Sequence, residues 1–462
     1  MNAWYRTLAG TRNVLVVSID LLIAVVEMKN SGIHGEEQEP HPNVVVRTTD
    51  AFGRVLHAIK AFESGEVVFI ESPILLSLPS LSQDEDTLLK LASETSGLNL
   101  VEDFLFAKSF CLSDEQHRQS VLDCYSPSSI ELKNSPLLTS ILNVVDACKR
   151  FAWSSGIASE TLEKVVLVKA CNAHGCFSQS NASAALYSLG SKMRHSCTPN
   201  VVYTSQRVRG LGSFIAKKRI KAGEELFISY IPTARSVPMR QRVLRENYLF
   251  ECRCESCTSE VDVFRGLNCA CGGTMFRNQA TQIWTCRDCA GVFTDADKPI
   301  SDADESLLVE ETLKILDSFQ VESKSILNAT LERLYTKLGP KHAISKLVEK
   351  AFIEYHLLTS YAVVEHRADQ IKNLTDSILE WCGNDPDFLD SVLIELGCAL
   401  GRVGDFETAK GYLNIVLKDM QFLFGTDAAD DNEPLGWVIR AIRACEAHDP
   451  EAVPDFIGGT NL

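Results

Sequence analysis

Short apolar runs broken by glycine and proline open the readable part of the chain. Residues 44–47 predict a strand, Gly53 a turn, residues 55–58 a second strand, and residues 66–71 a third that stops before Pro73. The period then changes. Across residues 83–168 apolar positions such as Leu88, Leu89, Phe104, Phe106, Ile141 and Val145 recur at helical spacing. Residues 165–172 read as the point where the sheet-bearing core resumes, and residues 214–216, 219–220 and 223–230 read as strand, turn and strand, the last ending at Tyr230. Residues 303–447 are helical in pattern, and residues 399–410, followed by Leu413, Val416 and Leu417, are similar to one tetratricopeptide helix pair. The expected class is α+β: small sheets carrying a helical insertion, then an all-α C-terminal domain.

Composition narrows the function classes. The 462 residues are 45% hydrophobic and 23% charged, an ordinary globular balance. A net charge of -16 argues against sequence-independent nucleic-acid binding, which needs a basic footprint, and suits a basic protein partner. Sixteen cysteines could suggest secretion, but seven of them fall in CxC and CxxC groups between Cys252 and Cys289, a spacing that favours metal thiolates over disulfides. That places the chain in a reducing compartment, cytoplasmic or nuclear. The apolar run 13–28 resembles a signal core, but Asp20 interrupts it and it is shorter than the roughly 20 residues a membrane span needs. Residues 1–40 therefore read as a non-structural N-terminal extension or an upstream misassigned start in preference to a targeting segment, and no membrane partner is expected.

The second cysteine group stands on spacing alone. Cys269-x-Cys271 and Cys286-x-x-Cys289, with Trp284 between them, form the two knuckles of a zinc ribbon over residues 262–295. Few basic or aromatic residues surround it, so packing rather than nucleic-acid binding is its expected role.

Three further motifs occur in order: Arg194 to Asn200 (RHSCTPN), Gly223 through Tyr230 (GEELFISY), and Cys252, Cys254 and Cys257 (CRCESC). Together they resemble the signature of SET-domain protein-lysine methyltransferases, most closely the SET and MYND subfamily, over residues 41–258. The likeness implies that the HSC stretch threads beneath a later segment in a knot-like crossing, bringing the three motifs together. It implies S-adenosylmethionine as cofactor and a protein presenting a lysine as substrate. Three thiolates fall one short of a closed tetrahedral zinc site, and Cys197 supplies the fourth ligand to Cys252, Cys254 and Cys257 in a post-SET segment over 248–258. Two structural zinc ions follow.

Residue by residue, the resemblance places Gly53 and Arg54 at the methionine end of the cofactor, Asn172 on its polar groups, Arg194 and His195 at the adenine, and Phe250 over the adenine or the channel mouth. Tyr230 is the catalytic candidate, orienting the lysine amine and also touching cofactor. The chain departs from the family at two points: Arg194 stands for the usual asparagine, and Val55 for the second glycine of the first turn. Cys111, Cys124 and Cys148 are too dispersed for the inserted MYND finger of relatives, so the insertion at 83–168 is expected to be helical without it. His174 has no assigned role. A monomer is expected, with a tail over 448–462. The competing reading is a non-catalytic, zinc-stabilised interaction scaffold that has lost cofactor binding.

Overall fold

The computed structural model describes residues 41–454, apart from 78–79, 128–131, 133–134, 136, 179–180, 209, 318–323, 360, 384–387 and 426–433. The expected extension over 1–40 and the end of the tail lie outside the described residues. The first strands are β1 (Val44–Thr49) and β2 (Gly53–Ala58), an antiparallel hairpin, followed by β3 (Val67–Glu71) and β4 (Leu75–Leu76). Among the described residues the following helices come next: α1 (Gln83–Ser96), α2 (Val101–Leu112), α3 (Glu115–Leu122), α4 (Leu137–Lys149) and α5 (Ser159–Asn172). Helix α1 starts on a reciprocal cap between Ser82 and Glu85, and the Glu85 carboxylate also accepts from Lys108 at 2.8 Å and from the Trp153 indole at 3.0 Å. One buried carboxylate thus ties three parts of the insertion together.

At residues 165–168 the sequence reading and the fold differ. The run Val165-Val166-Leu167-Val168 reads as the return of the sheet core, yet it lies inside α5 with all four side chains buried. A helix covered on every side loses its polar stripe, and a short apolar run of this kind carries no period that separates helix from strand. Strands resume with β5 (His174–Ser178) and β6 (Asn181–Leu186), then β7 (Arg194–His195), β8 (Val201–Val208), β9 (Leu211–Ala216) and β10 (Phe227–Ile228). They assemble as three-stranded sheets, β3-β9-β8 and β4-β6-β5, and a short parallel pair, β10 with β7. Their shared core holds Val44, Leu56, Phe69, Tyr187, Phe214 and Ile228.

Helices α6 (Val237–Tyr248) and α7 (Glu255–Thr258) lead to a four-stranded antiparallel sheet in sequence order, β11 (Leu267–Asn268), β12 (Thr274–Arg277), β13 (Trp284–Cys286) and β14 (Val292–Phe293). The remainder is helical: α8 (Asp302–Asp317), α9 (Lys324–Lys337), α10 (Ala343–Thr359), α11 (Tyr361–Trp381), α12 (Asp390–Arg402), α13 (Phe406–Phe424) and α14 (Pro434–Glu446). Gly397 sets the approach of α12 to α13, since a Cβ there would lie 2.6 Å from the Leu413 side chain. Trp284, fully buried, shares a core with Met239 of α6 and with Leu308, Leu334 and Phe352 of the first helices, so the small sheet is wedged into the helical region. The end of α13 reaches back to the first region, where Arg207 of β8 donates to the Phe422 carbonyl at 3.3 Å. Among the described residues no helix is long and apolar enough to cross a membrane.

Candidate functional site

The site is built where one segment passes between two others. Residues 224–228 are hydrogen-bonded on one side to β2, through Ala58 N to Glu224 O at 2.9 Å and Leu226 N to Leu56 O at 2.8 Å. On the other side they pair with the HSC stretch, in parallel register Phe227 with Arg194 and Ile228 with His195. Asn200 closes the crossing. Its amide donates to the Glu225 carbonyl at 2.8 Å, and its Oδ1 accepts from Phe227 N at the same distance. A two-residue parallel pair has little stability of its own, so this buried side chain, satisfied in both directions, holds the register.

The crossing delivers Tyr230 against His195. The Tyr230 amide donates to His195 Nδ1 at 3.0 Å, which leaves the imidazole proton on Nε2, and that nitrogen lies 3.2 Å from Cys197 Sγ. The His195 ring faces Tyr230 at 5.3 Å and Phe250 at 6.0 Å between centroids. Tyr230 donates its hydroxyl proton to the Met193 carbonyl at 2.6 Å. The oxygen lone pairs are thereby left to accept from an amine. Burial, with smaller contributions from Tyr248 and Cys171, pushes the Tyr230 phenol well above its ordinary range, so it stays neutral and acts by orientation and polarity.

Asn172 ends α5 beside this cluster. Both amide protons are used, on the carbonyls of Val168 and Tyr125 at 2.8 Å each, so its Oδ1 is the atom open to a ligand. Arg54 donates to the Asp123 carbonyl, tying the start of β2 to the same edge of the insertion. Gly53 has φ of +65° and open space where a Cβ would stand. Val55 needs no such freedom: it is an ordinary strand residue buried in the sheet core, and the missing second glycine leaves no strain. Arg194 turns its guanidinium onto Glu225, with Nε to Oε1 at 2.6 Å and Nη2 to Oε2 at 3.0 Å. His174 stands among the rings of Tyr187, Tyr203 and Phe214, where burial lowers its pKa to about 4; it is a core histidine.

Two groups of four sulfurs lie within 4.8 Å of one another: Cys197, Cys252, Cys254 and Cys257, and Cys269, Cys271, Cys286 and Cys289. Four thiolates about 2.3 Å from a central zinc would stand about 3.8 Å apart. Measured separations are 3.6 Å for Cys197 to Cys257, 3.8 Å for Cys269 to Cys289 and 3.6 Å for Cys271 to Cys286. Both groups fit a tetrahedral ion. In the first, hydrogen bonds among the sulfurs split the titration, holding Cys252 and Cys254 below the thiol range, Cys254 at about 5, and pushing Cys197 and Cys257 above it. A cation at the centre removes that conflict.

Sequence reasoning missed three contributors. Arg240, buried in α6, donates from Nη2 to Ser256 Oγ at 3.1 Å and approaches Cys257 Sγ at 3.7 Å. Burial works against its charge, but Cys197 and Cys257 more than compensate and its pKa is raised. It would balance the negative charge that four thiolates leave on a divalent ion held there. Tyr248 packs against Tyr230 at 5.1 Å and donates to the Tyr230 carbonyl at 3.2 Å, with burial and then Cys171 raising its pKa to about 12. Its place beside Cys252 in the chain was a usable signal. Phe52, at the hairpin tip, lies under the Arg194 guanidinium at 3.6 Å, and nothing in the local sequence marks it.

The SET domain family matches residues 53–231. Histone-lysine N-methyltransferase ASHR1 of Arabidopsis thaliana is 33% identical over 132 residues, 26% of this chain and 27% of that protein. Protein-lysine N-trimethyltransferase SMYD5 of Gallus gallus is 40% identical over 82 residues, 17% and 20% of the two chains. The SET5 histone-lysine N-methyltransferase of Yarrowia lipolytica is 39% identical over 87 residues, 19% and 20%. The chain thus spans about a quarter of the length of these relatives or less. The crystal structure of the SET domain of LSMT bound to lysine and AdoHcy aligns over 81% of this chain and all of that one, at 15% identity and a TM-score of 0.31.

Proposed function

We propose that this chain, whose residues 53–231 match the SET domain family, is an S-adenosylmethionine-dependent protein-lysine N-methyltransferase. The observation that carries this reading is the crossing of residues 224–228 with β7, which sets the neutral Tyr230 phenol, His195 and Phe250 around one point. The cofactor supplies an electrophilic methyl group on a sulfonium. The residues of this chain do the positioning. Asn172 Oδ1 and the open face of Gly53 would receive the amino-acid end, β7 and Phe250 the adenine. The Tyr230 oxygen, its own proton held by Met193, accepts from the lysine amine and aligns the nitrogen lone pair with the methyl carbon. The phenol oxygen would favour the positive charge that an amine gains on taking the methyl group. The departing proton leaves to water.

Two zinc ions complete the proposal. Cys197, Cys252, Cys254 and Cys257 would hold one, packed in the same core as Tyr230, Tyr248 and Phe250, so that metal occupancy orders the segment closing over the site. Cys269, Cys271, Cys286 and Cys289 would hold the other. The acidic balance suits a basic protein substrate, histone or otherwise. Calorimetric titration of the purified, zinc-loaded chain with S-adenosylmethionine tests the reading: saturable binding of one molecule per chain is expected. Absence of binding would sink it and favour the scaffold.

A further inference from the structure

Arg194 stands where the resemblance expects an asparagine, and its charge is spent on neighbours rather than left in the cleft. Glu225 grips it through two parallel hydrogen bonds, of 2.6 and 3.0 Å, which fixes the plane of the guanidinium. On one face of that plane lies the ring of Phe52, with the guanidinium carbon 3.6 Å from the ring centroid; Phe227 lies near at 5.3 Å. Phe52 is 59% exposed and sits at the tip of the β1–β2 turn, next to Gly53. An exposed aromatic ring normally has no reason to order a hairpin tip. Here it is clamped to the threaded segment, and the clamp joins the two pieces of chain that border the candidate cofactor site, the turn and β7.

We propose that Glu225, Arg194 and Phe52 form a clasp that holds the β1–β2 turn closed over bound cofactor. Arg194 is then a positioning residue. Its guanidinium is engaged by Glu225 and Phe52, so where the resemblance has an asparagine this chain has a tie between two segments. Lysine in its place would keep a cation over Phe52 but lose the planar two-point grip on Glu225, so it should restore only part of the effect. Removal of the ring alone is the cleanest lesion, because Phe52 is exposed and leaves no unpaired charge behind.

The inference rests on the cofactor reading above, and the test separates the two. S-adenosylmethionine affinity is measured by calorimetry for the zinc-loaded wild type, Phe52→Ala, Arg194→Ala, Arg194→Lys and the double alanine variant. Each alanine variant should bind about three- to tenfold more weakly, the size expected of a cation–π contact at a partly exposed site. The double variant should be little worse than either single one, since both remove the same tie. Lysine should fall between. Hydrogen exchange at the amides of residues 50–53, compared with and without cofactor, gives a second readout: wild type should gain protection on binding and Phe52→Ala should not. Additive losses, or wild-type affinity in Phe52→Ala, overturn the clasp while leaving the cofactor reading intact. If wild type binds no cofactor, the function reading fails, and hairpin exchange without ligand still decides the tie: equal exchange in wild type and Arg194→Ala refutes it.

Discussion

Tyr230 shows how much one side chain's role depends on where its proton goes. The Met193 carbonyl takes the phenol proton at 2.6 Å and burial keeps the group neutral, so the residue offers lone pairs and not a base. Tyr230→Phe removes that oxygen and little volume, and the fold and both metals should persist. The lost contact is felt mainly in the transition state. Turnover should fall about 30- to 1000-fold, or about 2 to 4 kcal/mol in the barrier, while cofactor affinity changes little. Following labelled methyl transfer alongside calorimetry for both proteins checks this; equal turnover would remove Tyr230 from the mechanism. Tyr230, His195 and Cys197 could be singled out in the sequence because they stand in recognisable strings. Arg240 and Phe52 were invisible because their roles arise only when distant segments meet.

At the scale of elements, the post-SET segment is the part most dependent on something outside the polypeptide. Residues 252–258 contribute a single turn of helix, α7, and few apolar side chains besides the cysteines themselves. Such a segment would be held in place by ligation of a metal ion. Cys197→Ser should therefore release one of two zinc ions and loosen the chain around Phe250, with the Cys269 group still loaded. Metal analysis gives the stoichiometry, and exchange at residues 248–257 gives the order. Retention of two ions would exclude Cys197 as the fourth ligand. Strand and helix identities were legible where the apolar period was clean, as in β1, β2 and the C-terminal helices. The reading failed over 165–168, where four consecutive buried residues of α5 leave no local polar position to mark a helix.

Across the whole molecule, the small cysteine-rich sheet is the joint between the SET region and the helices. Arg265, just before β11, donates to Glu305 of α8 at 2.9 and 2.7 Å and to Asp302 at 2.5 Å, and His342 Nε2 lies 3.3 Å from the same Glu305. Burial opposes the charge on Glu305, but His342 and Arg265 more than reverse this and take its pKa from 4.5 to about 2. A depressed carboxylate stabilises the fold fully above its unfolded value and loses that contribution as pH falls from about 4.5 to about 2, at most about 3 kcal/mol. Urea melts at stepped pH should show this loss in wild type and a flatter profile, at lower stability near neutrality, in Glu305→Gln. A profile unchanged by the substitution would remove Glu305 from the joint. That junction was not legible in the sequence, which showed the knuckles and the helices but not the ion network between them.

Transfer of the methyl group itself bears most directly on the molecule as a whole. Zinc-loaded protein is incubated with S-adenosylmethionine labelled in the methyl group and with histones or lysate proteins, and the acceptor is identified after hydrolysis to amino acids. Label recovered as methylated lysine, dependent on the intact chain and lost with chelation of the metals, is the expected result. Label on another residue type, or none with any acceptor from a chain that binds the cofactor, would contradict a lysine methyltransferase.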